Sequence, residues 1–154
     1  MTTAALGPPE PSASTASTAI RTHRLSTANR KTAAVEMRAS VAALLQVGRY
    51  TQLVESAKIC TSELVTNVYR HTQAHLVHVE VILGDHEVSV CVHDDQPHAL
   101  PVPPEAVPEI RERGRGLVLV DDLSDAWGAP CYGGPRPHSN AVWFRMVKGG
   151  RGTS

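Results

Sequence analysis

Three places along the chain set reactive side chains at spacings that suggest chemistry. The first is the Pro-free run Cys60-Thr61-Ser62-Glu63-Leu64-Val65-Thr66-Asn67-Val68-Tyr69-Arg70-His71. Glu63 and Asn67 are four residues apart, which on a helix stacks a carboxylate and an amide one turn above the other, with Arg70 three residues further along the same side. Leu53, Ala57, Cys60, Leu64 and Val68 follow at steps of three and four and define the core stripe of that helix, a stripe Val65 does not fit. The polar groups fall at the edge of the stripe. A half-desolvated carboxylate there needs a hydrogen bond, a cation or a bound ion. A solvated rim with an incidental Glu and Asn is the competing reading, and these residues alone leave both open.

The second place is Gly114-Arg115-Gly116, directly before a helical pattern. A glycine turn that opens a helix exposes backbone N–H groups and the positive end of the helix dipole to an anion, typically phosphate. Arg113 and Arg115 add charge and forked donors. A lone Gly-x-Gly is elsewhere most often just a turn, and neither the Walker-type pattern nor a Gly-x-Gly-x-x-Gly after a strand occurs here. The third place is Asp94, at the end of a predicted strand and beside Asp95. These carboxylates read as an acid–base pair, as an acceptor for a ligand amine, or as two turn formers. His71, His75 and His78 straddle a helix end, a loop and a strand, so their spacing does not predict a shared metal.

The elements that must position these groups are legible as changes of period. Residues 1–18 are Ala, Ser, Thr and Pro with almost no large apolar side chain, a disordered leader by composition. Residues 19–25 read as a short edge strand. From Asn29 or Arg30 to about Leu45 a first helix places Ala34, Met37, Val41 and Leu44/Leu45 on one side, with Gly48 as its stop signal. Beyond the central helix, Val77, Val79, Val81 and Leu83 alternate with His78, Glu80 and Ile82. After a tight turn at Gly84-Asp85, Val88, Val90 and Val92 alternate with Ser89, Cys91 and His93, which predicts an antiparallel hairpin with one valine face covered by the two helices. Asp95 to Pro108 holds five prolines and reads as a long functional loop or lid. A short helix follows over Val118 to Leu123, with Leu117, Val120 and Leu123/Ser124 along one side, a strand starts at Trp127, the Gly133-Gly134-Pro135 region turns the chain, and Ala141 to Val147 returns as the last strand. Residues 149–154 are expected to be a frayed, flexible tail.

Composition bounds the answer. At 154 residues with 42% hydrophobic content, the chain can form one domain of ordinary size, placed at 19–148. Fifteen basic residues balance fifteen acidic ones, so no overall field recommends nucleic acid or a membrane surface as partner. Cys60, Cys91 and Cys131 are odd in number and lack a Cys-x-x-Cys spacing, which suggests reduced thiols. No apolar run approaches the roughly 18 residues of a spanning helix, and no basic start precedes a hydrophobic block. A cytoplasmic protein is expected.

The order of these pieces is informative as a whole. Ser62 to His71 resembles the N-box of the GHKL (histidine kinase-like) ATPase/kinase superfamily. Val92-His93-Asp94-Asp95-Gln96-Pro97 resembles its first glycine box, Arg113 to Val120 its second, and Asn140 to Phe144 its final strand. The likeness covers roughly residues 20 to 147 and is closest to the small bacterial anti-sigma-factor kinases and the stand-alone ATP-binding regulators of actinomycetes. It implies an α+β fold, a two-layer sandwich of the Bergerat type in which helices cover one face of a mainly antiparallel sheet.

It also implies ATP and Mg²⁺ as cofactors. Asn67 would coordinate Mg²⁺, and Glu63 would act as base toward the hydroxyl that attacks the γ-phosphate. Asp94 would accept a hydrogen bond from the adenine amine, while Gly114, Arg115, Gly116 and Leu117 would wrap the phosphates. Arg70, Arg113 and Asn140 complete the cofactor-binding set, and His71 matches a structural position of the family. Implied partners are a sigma factor, an antagonist (anti-anti-sigma) protein whose serine or threonine is phosphorylated, and a second copy of the chain in a homodimer. The sequence departs from the pattern in four ways: Gln96 replaces a glycine beside the adenine, no second glycine follows it, no clear phosphate-contacting lysine precedes Gly114, and Asn140 replaces a threonine. The alternative function is therefore a non-catalytic nucleotide-sensing interaction module of the same fold.

Overall fold

The computed structural model describes residues 20–95, 114–129 and 141–154. Strand β1 (Arg21–Ala28) leads into helix α1 (Ala33–Val47), and a 3-10 turn at Thr51–Leu53 opens helix α2 (Val54–His71). Strands β2 (Leu76–Leu83) and β3 (Glu87–Asp94), helix α3 (Gly114–Leu123), and strands β4 (Ala126–Gly128) and β5 (Ala141–Val147) follow. The strands form one antiparallel sheet in the order β1-β2-β3-β5-β4. α1 packs by β1 and β2, α2 by β3 and β5, and α3 by α2 and β4. The result is the α+β arrangement, helices over an antiparallel sheet, that the sequence implied.

Alternation drives the hairpin. Val77, Val79, Val81 and Leu83 of β2 and Val88, Val90 and Val92 of β3 are all buried toward the helices. The Gly84 N–H donates to the Glu87 carbonyl at 2.9 Å, closing a two-residue loop over Asp85 and His86. Against this face stand Met37, Val41 and Leu45 of α1, the α2 stripe, and Phe144 and Met146 of β5. Each such side chain contributes on the order of 1.5–3 kcal/mol when fully buried.

Val65, which lies off the predicted α2 stripe, is fully buried. The reason is position in the layer: α2 has α1 on one side, α3 on the other and the sheet beneath it, so its apolar arc is wider than that of a helix with one neighbour. β3 likewise exceeds simple alternation. Ser89 and Cys91 are buried on the second face, where Cys91, Ala141 and Trp143 form a small apolar cluster.

Two boundaries differ from expectation for clear reasons. β1 runs to Ala28 and α1 starts only at Ala33, because the Asn29 N–H still pairs with the His75 carbonyl at 2.9 Å while its side chain donates to the Ala74 carbonyl. Gly48 does end α1, but not through a left-handed backbone: its φ is −81°, and the positive φ of 67° belongs to Arg49. Gly48 is needed for space, since a Cβ there would lie 2.8 Å from the Tyr50 ring. Tyr50 in turn donates its hydroxyl to the Gly84 carbonyl, tying the start of α2 to the β2–β3 loop.

The segment 149–154, expected to fray, is instead pinned by hydrogen bonds to Asp125, Ser56 and Gln52. Within the described residues no helix is long and apolar enough to cross a membrane. The expected leader, the proline-rich loop and the turn at Gly133 lie outside the described residues.

Candidate functional site

Glu63 and Asn67 lie half-buried on α2, beside the fully buried Cys60 and Val65. One helical turn, about 5.4 Å of rise, separates them. Among the described residues neither side chain has a hydrogen bond or ion pair. Burial first, and the neighbouring Glu63 carboxylate second, push the Cys60 thiol up to about 12. Arg70 is exposed one turn beyond Asn67. Thr72 closes the helix, its N–H and its hydroxyl both donating to the Val68 carbonyl, at 3.1 and 2.8 Å.

The chain then crosses to β2, and there the two aspartates part company. Asp95 Oδ1 accepts the N–H groups of His75 and Leu76 at 3.0 and 3.1 Å, and the Leu76 bond holds its acid below the ordinary range. It serves the backbone and does not form an acid–base pair with its neighbour. Asp94, opposite Val77 in the β2–β3 register, is 1% exposed. The residue interacts with its surroundings, and its Oδ2 atom is buried without a hydrogen bond.

α3 begins at Gly114 itself, so Gly114, Arg115 and Gly116 form its first turn where the sequence placed them just before the helix. The first N–H groups of a helix have no partner within it. Leu117 packs on the core, Val120 is fully buried and Val118 faces outward.

The relative placement of these groups follows from their anchors. The α3 carbonyl of Leu123 and the Ser56 side chain in the first turns of α2 both border Gly152, so the C-terminal end of α3 lies beside the N-terminal end of α2. α3 packs along α2, and its nine steps back to Gly114 span about 14 Å, against about 16 Å from Ser56 to Asn67. The glycine turn therefore heads toward the Glu63–Asn67 end of α2. Asp94 belongs to the same end of the sheet: the opposite end of the hairpin is fixed to Tyr50, just before α2, while Asp95 is fixed to the connection that leaves it. The sequence-predicted set thus comes together at one end for Glu63, Asn67, Arg70, Asp94 and the turn at Gly114, Arg115, Gly116 and Leu117. Arg113 and Asn140, like Gln96, lie outside the described residues.

The donor chemistry fits a magnesium nucleotide. Asn67 and Glu63 offer hard oxygens one turn apart on α2. Mg²⁺ suits such a sparse set, because it keeps waters and takes phosphate oxygens as its remaining ligands. The anchoring role of Asp95 was missed from sequence, where two adjacent aspartates after a strand look alike.

A comparison with curated proteins finds no match. A comparison with protein-family models matches residues 27–146, most of the chain, to the histidine kinase-like ATPase domain. That span runs from the end of β1 to Met146 near the end of β5, and the chain belongs to the histidine kinase-like ATPase domain family, whose members bind ATP, typically with Mg²⁺.

Proposed function

We propose that the protein is an ATP-dependent serine/threonine kinase of the anti-sigma-factor type, which binds a sigma factor and phosphorylates a small antagonist protein, as a cytoplasmic homodimer. The observation that carries the reading is the pair on α2: Glu63 and Asn67, one turn apart, half-buried and without a side-chain hydrogen bond or ion pair among the described residues. A carboxylate in that position is suited to take a proton, and an amide oxygen beside it to hold a hard cation.

ATP bound with Mg²⁺ would supply the transferable γ-phosphoryl group. Asn67 would turn its amide oxygen to the metal. Asp94, buried at the end of β3, would accept the adenine amine. The first N–H groups of α3, with Arg115 and the exposed Arg70, would neutralise phosphate charge. Glu63 would accept the proton that the antagonist's hydroxyl gives up as it becomes the nucleophile. Phosphoryl transfer depends mainly on such positioning and charge neutralisation, which a rigid helix pair can provide.

Gln96, in place of a glycine, favours a second reading, a nucleotide-sensing interaction module without turnover. One experiment separates the two. Capture of partners from the native cytoplasm, with and without ATP and Mg²⁺, followed by mass spectrometry for bound proteins and their phosphosites, should return a sigma factor and a phosphorylated antagonist. Partners that bind yet never carry a new phosphate would favour the module.

A further inference from the structure

Asp125, between α3 and β4, joins the end of β5 to the segment that follows it. Its Oδ2 accepts the Val147 N–H at 2.7 Å and its Oδ1 accepts the Arg151 N–H at 3.0 Å, while its own N–H donates to the Arg145 carbonyl at 2.9 Å. Gly150 lies so close that a Cβ there would stand 2.5 Å from both carboxylate oxygens. The segment then crosses to both helices. The Arg151 guanidinium donates to the Asp121 carbonyl of α3 at 3.1 Å, and the buried Ser56 hydroxyl of α2 donates to the Gly152 carbonyl at 2.8 Å. Gly152 fills a slot in which a Cβ would lie 2.7 Å from the Leu123 carbonyl oxygen and 3.2 Å from Met146 Sδ and Ser56 Cβ. The Ser154 N–H finally donates to the Gln52 carbonyl at 3.0 Å, just before α2.

We propose that residues 148–154, held by Asp125, form a clamp that sets the position of α3 against α2, and that Asp125 is thereby a positioning residue for the phosphate-binding turn at the far end of α3. The argument is one of leverage. α3 has ten residues and begins at Gly114. Leu117 and Val120 pack its middle on the core, and its register along α2 is fixed at its other end, where the clamp grips Asp121 and Leu123 of α3 together with Ser56 and Gln52 at the start of α2. A rigid rod held at one end carries that constraint to the other, so the distance from the glycine turn to Asn67 depends on a carboxylate about 14 Å away along the helix. In its ligand this inference rests on the nucleotide reading; in its mechanics it does not.

The test uses the full chain with three substitutions: Asp125→Asn, which cannot accept both N–H groups; Gly152→Ala, which leaves Asp125 intact but forces the segment off Leu123; and Ser56→Ala, which removes a single hydrogen bond. Calorimetric affinity is measured for ATP with Mg²⁺ and for adenosine, alongside amide hydrogen exchange. The clamp predicts that ATP binding weakens about tenfold in the first two variants and about threefold in Ser56→Ala. Adenosine affinity should stay unchanged, with faster exchange in α3 and wild-type exchange in β3. Equal losses for ATP and adenosine would reduce Asp125 to a general stabiliser, and wild-type α3 exchange in all three variants would overturn the clamp. If the wild type bound neither ligand, the nucleotide reading would fall. The clamp would then stand or fall on whether the α3 amides exchange faster in the variants.

Discussion

Glu63 stands one helical turn after Cys60, and its carboxylate is the second cause, after burial, of a thiol pKa pushed up to about 12 from an ordinary 9.0. The folded thiol holds its proton to higher pH than the unfolded one. Its contribution to stability is therefore complete below about pH 9 and is lost as the pH rises toward 12. Alkylation of Cys60 in the native protein should be slow at pH 8. Glu63→Gln should bring the thiol's titration down while leaving it above the ordinary value, because burial remains. Thiol reactivity followed against pH in both proteins checks this.

The same substitution tests the chemistry. Glu63→Gln keeps size and most hydrogen bonding but cannot take up a proton, so phosphorylation of an antagonist should fall by roughly 10² or more. ATP affinity should survive. Transfer from labelled ATP, wild type beside variant, decides the matter, and brisk transfer by the variant would exclude the base role.

Asn67→Ala should abolish Mg²⁺-dependent ATP binding while leaving the thermal transition nearly in place. The side chain stands at the rim of the core, between the buried Val65 and Val68 but not among them. An unchanged calorimetric affinity for the magnesium nucleotide would remove Asn67 from the ligand set.

Arg115 belongs to the first turn of α3. A charge-assisted contact with phosphate contributes on the order of 1.5–3 kcal/mol, so Arg115→Ala should weaken ATP by a corresponding factor and leave adenosine untouched. Equal losses for both ligands would assign the guanidinium another task.

Asp95 titrates below its ordinary 3.8 because the Leu76 N–H, and with it that of His75, stabilises the carboxylate. A depressed folded value means that its contribution is present above the ordinary value and is lost as the pH falls through the folded one. Asp95→Asn should flatten that limb of the acid-unfolding curve. It should also weaken ATP and adenosine alike, since it loosens the end of β3 that carries Asp94. A variant that weakens ATP alone would show that the anchor does not serve the adenine side.

Much of this organisation can be read from the residues, because it is carried by period and by punctuation. The valine alternation on either side of Gly84, the Glu63–Asn67 spacing and the glycines before Leu117 are local signals, and the elements appear where those signals put them, save that α3 takes the glycines into its own first turn. What escapes is what depends on neighbours distant in sequence. Val65 is buried because α2 has a helix on each side, α1 starts late because Asn29 is still bonded to the start of β2, and Asp125 draws in residues 147 to 151 across a strand. Even the stop at Gly48 has a distant cause, the ring of Tyr50 lying against it.

The strand order has a consequence for biosynthesis. β5 lies between β3 and β4, so the inner edge of β3, a strand buried along both faces, stays unpaired until a segment starting at Ala141 has been made. At ordinary elongation rates the 47 residues from Asp94 to Ala141 take roughly 2 to 10 s to emerge. Throughout that interval the nascent chain presents a valine-rich edge ready to pair with any neighbour. Ribosome stalling or proteolytic loss anywhere between residues 95 and 140 would leave that edge permanently open, so premature termination in this gene product should yield aggregates and not a shortened, soluble domain.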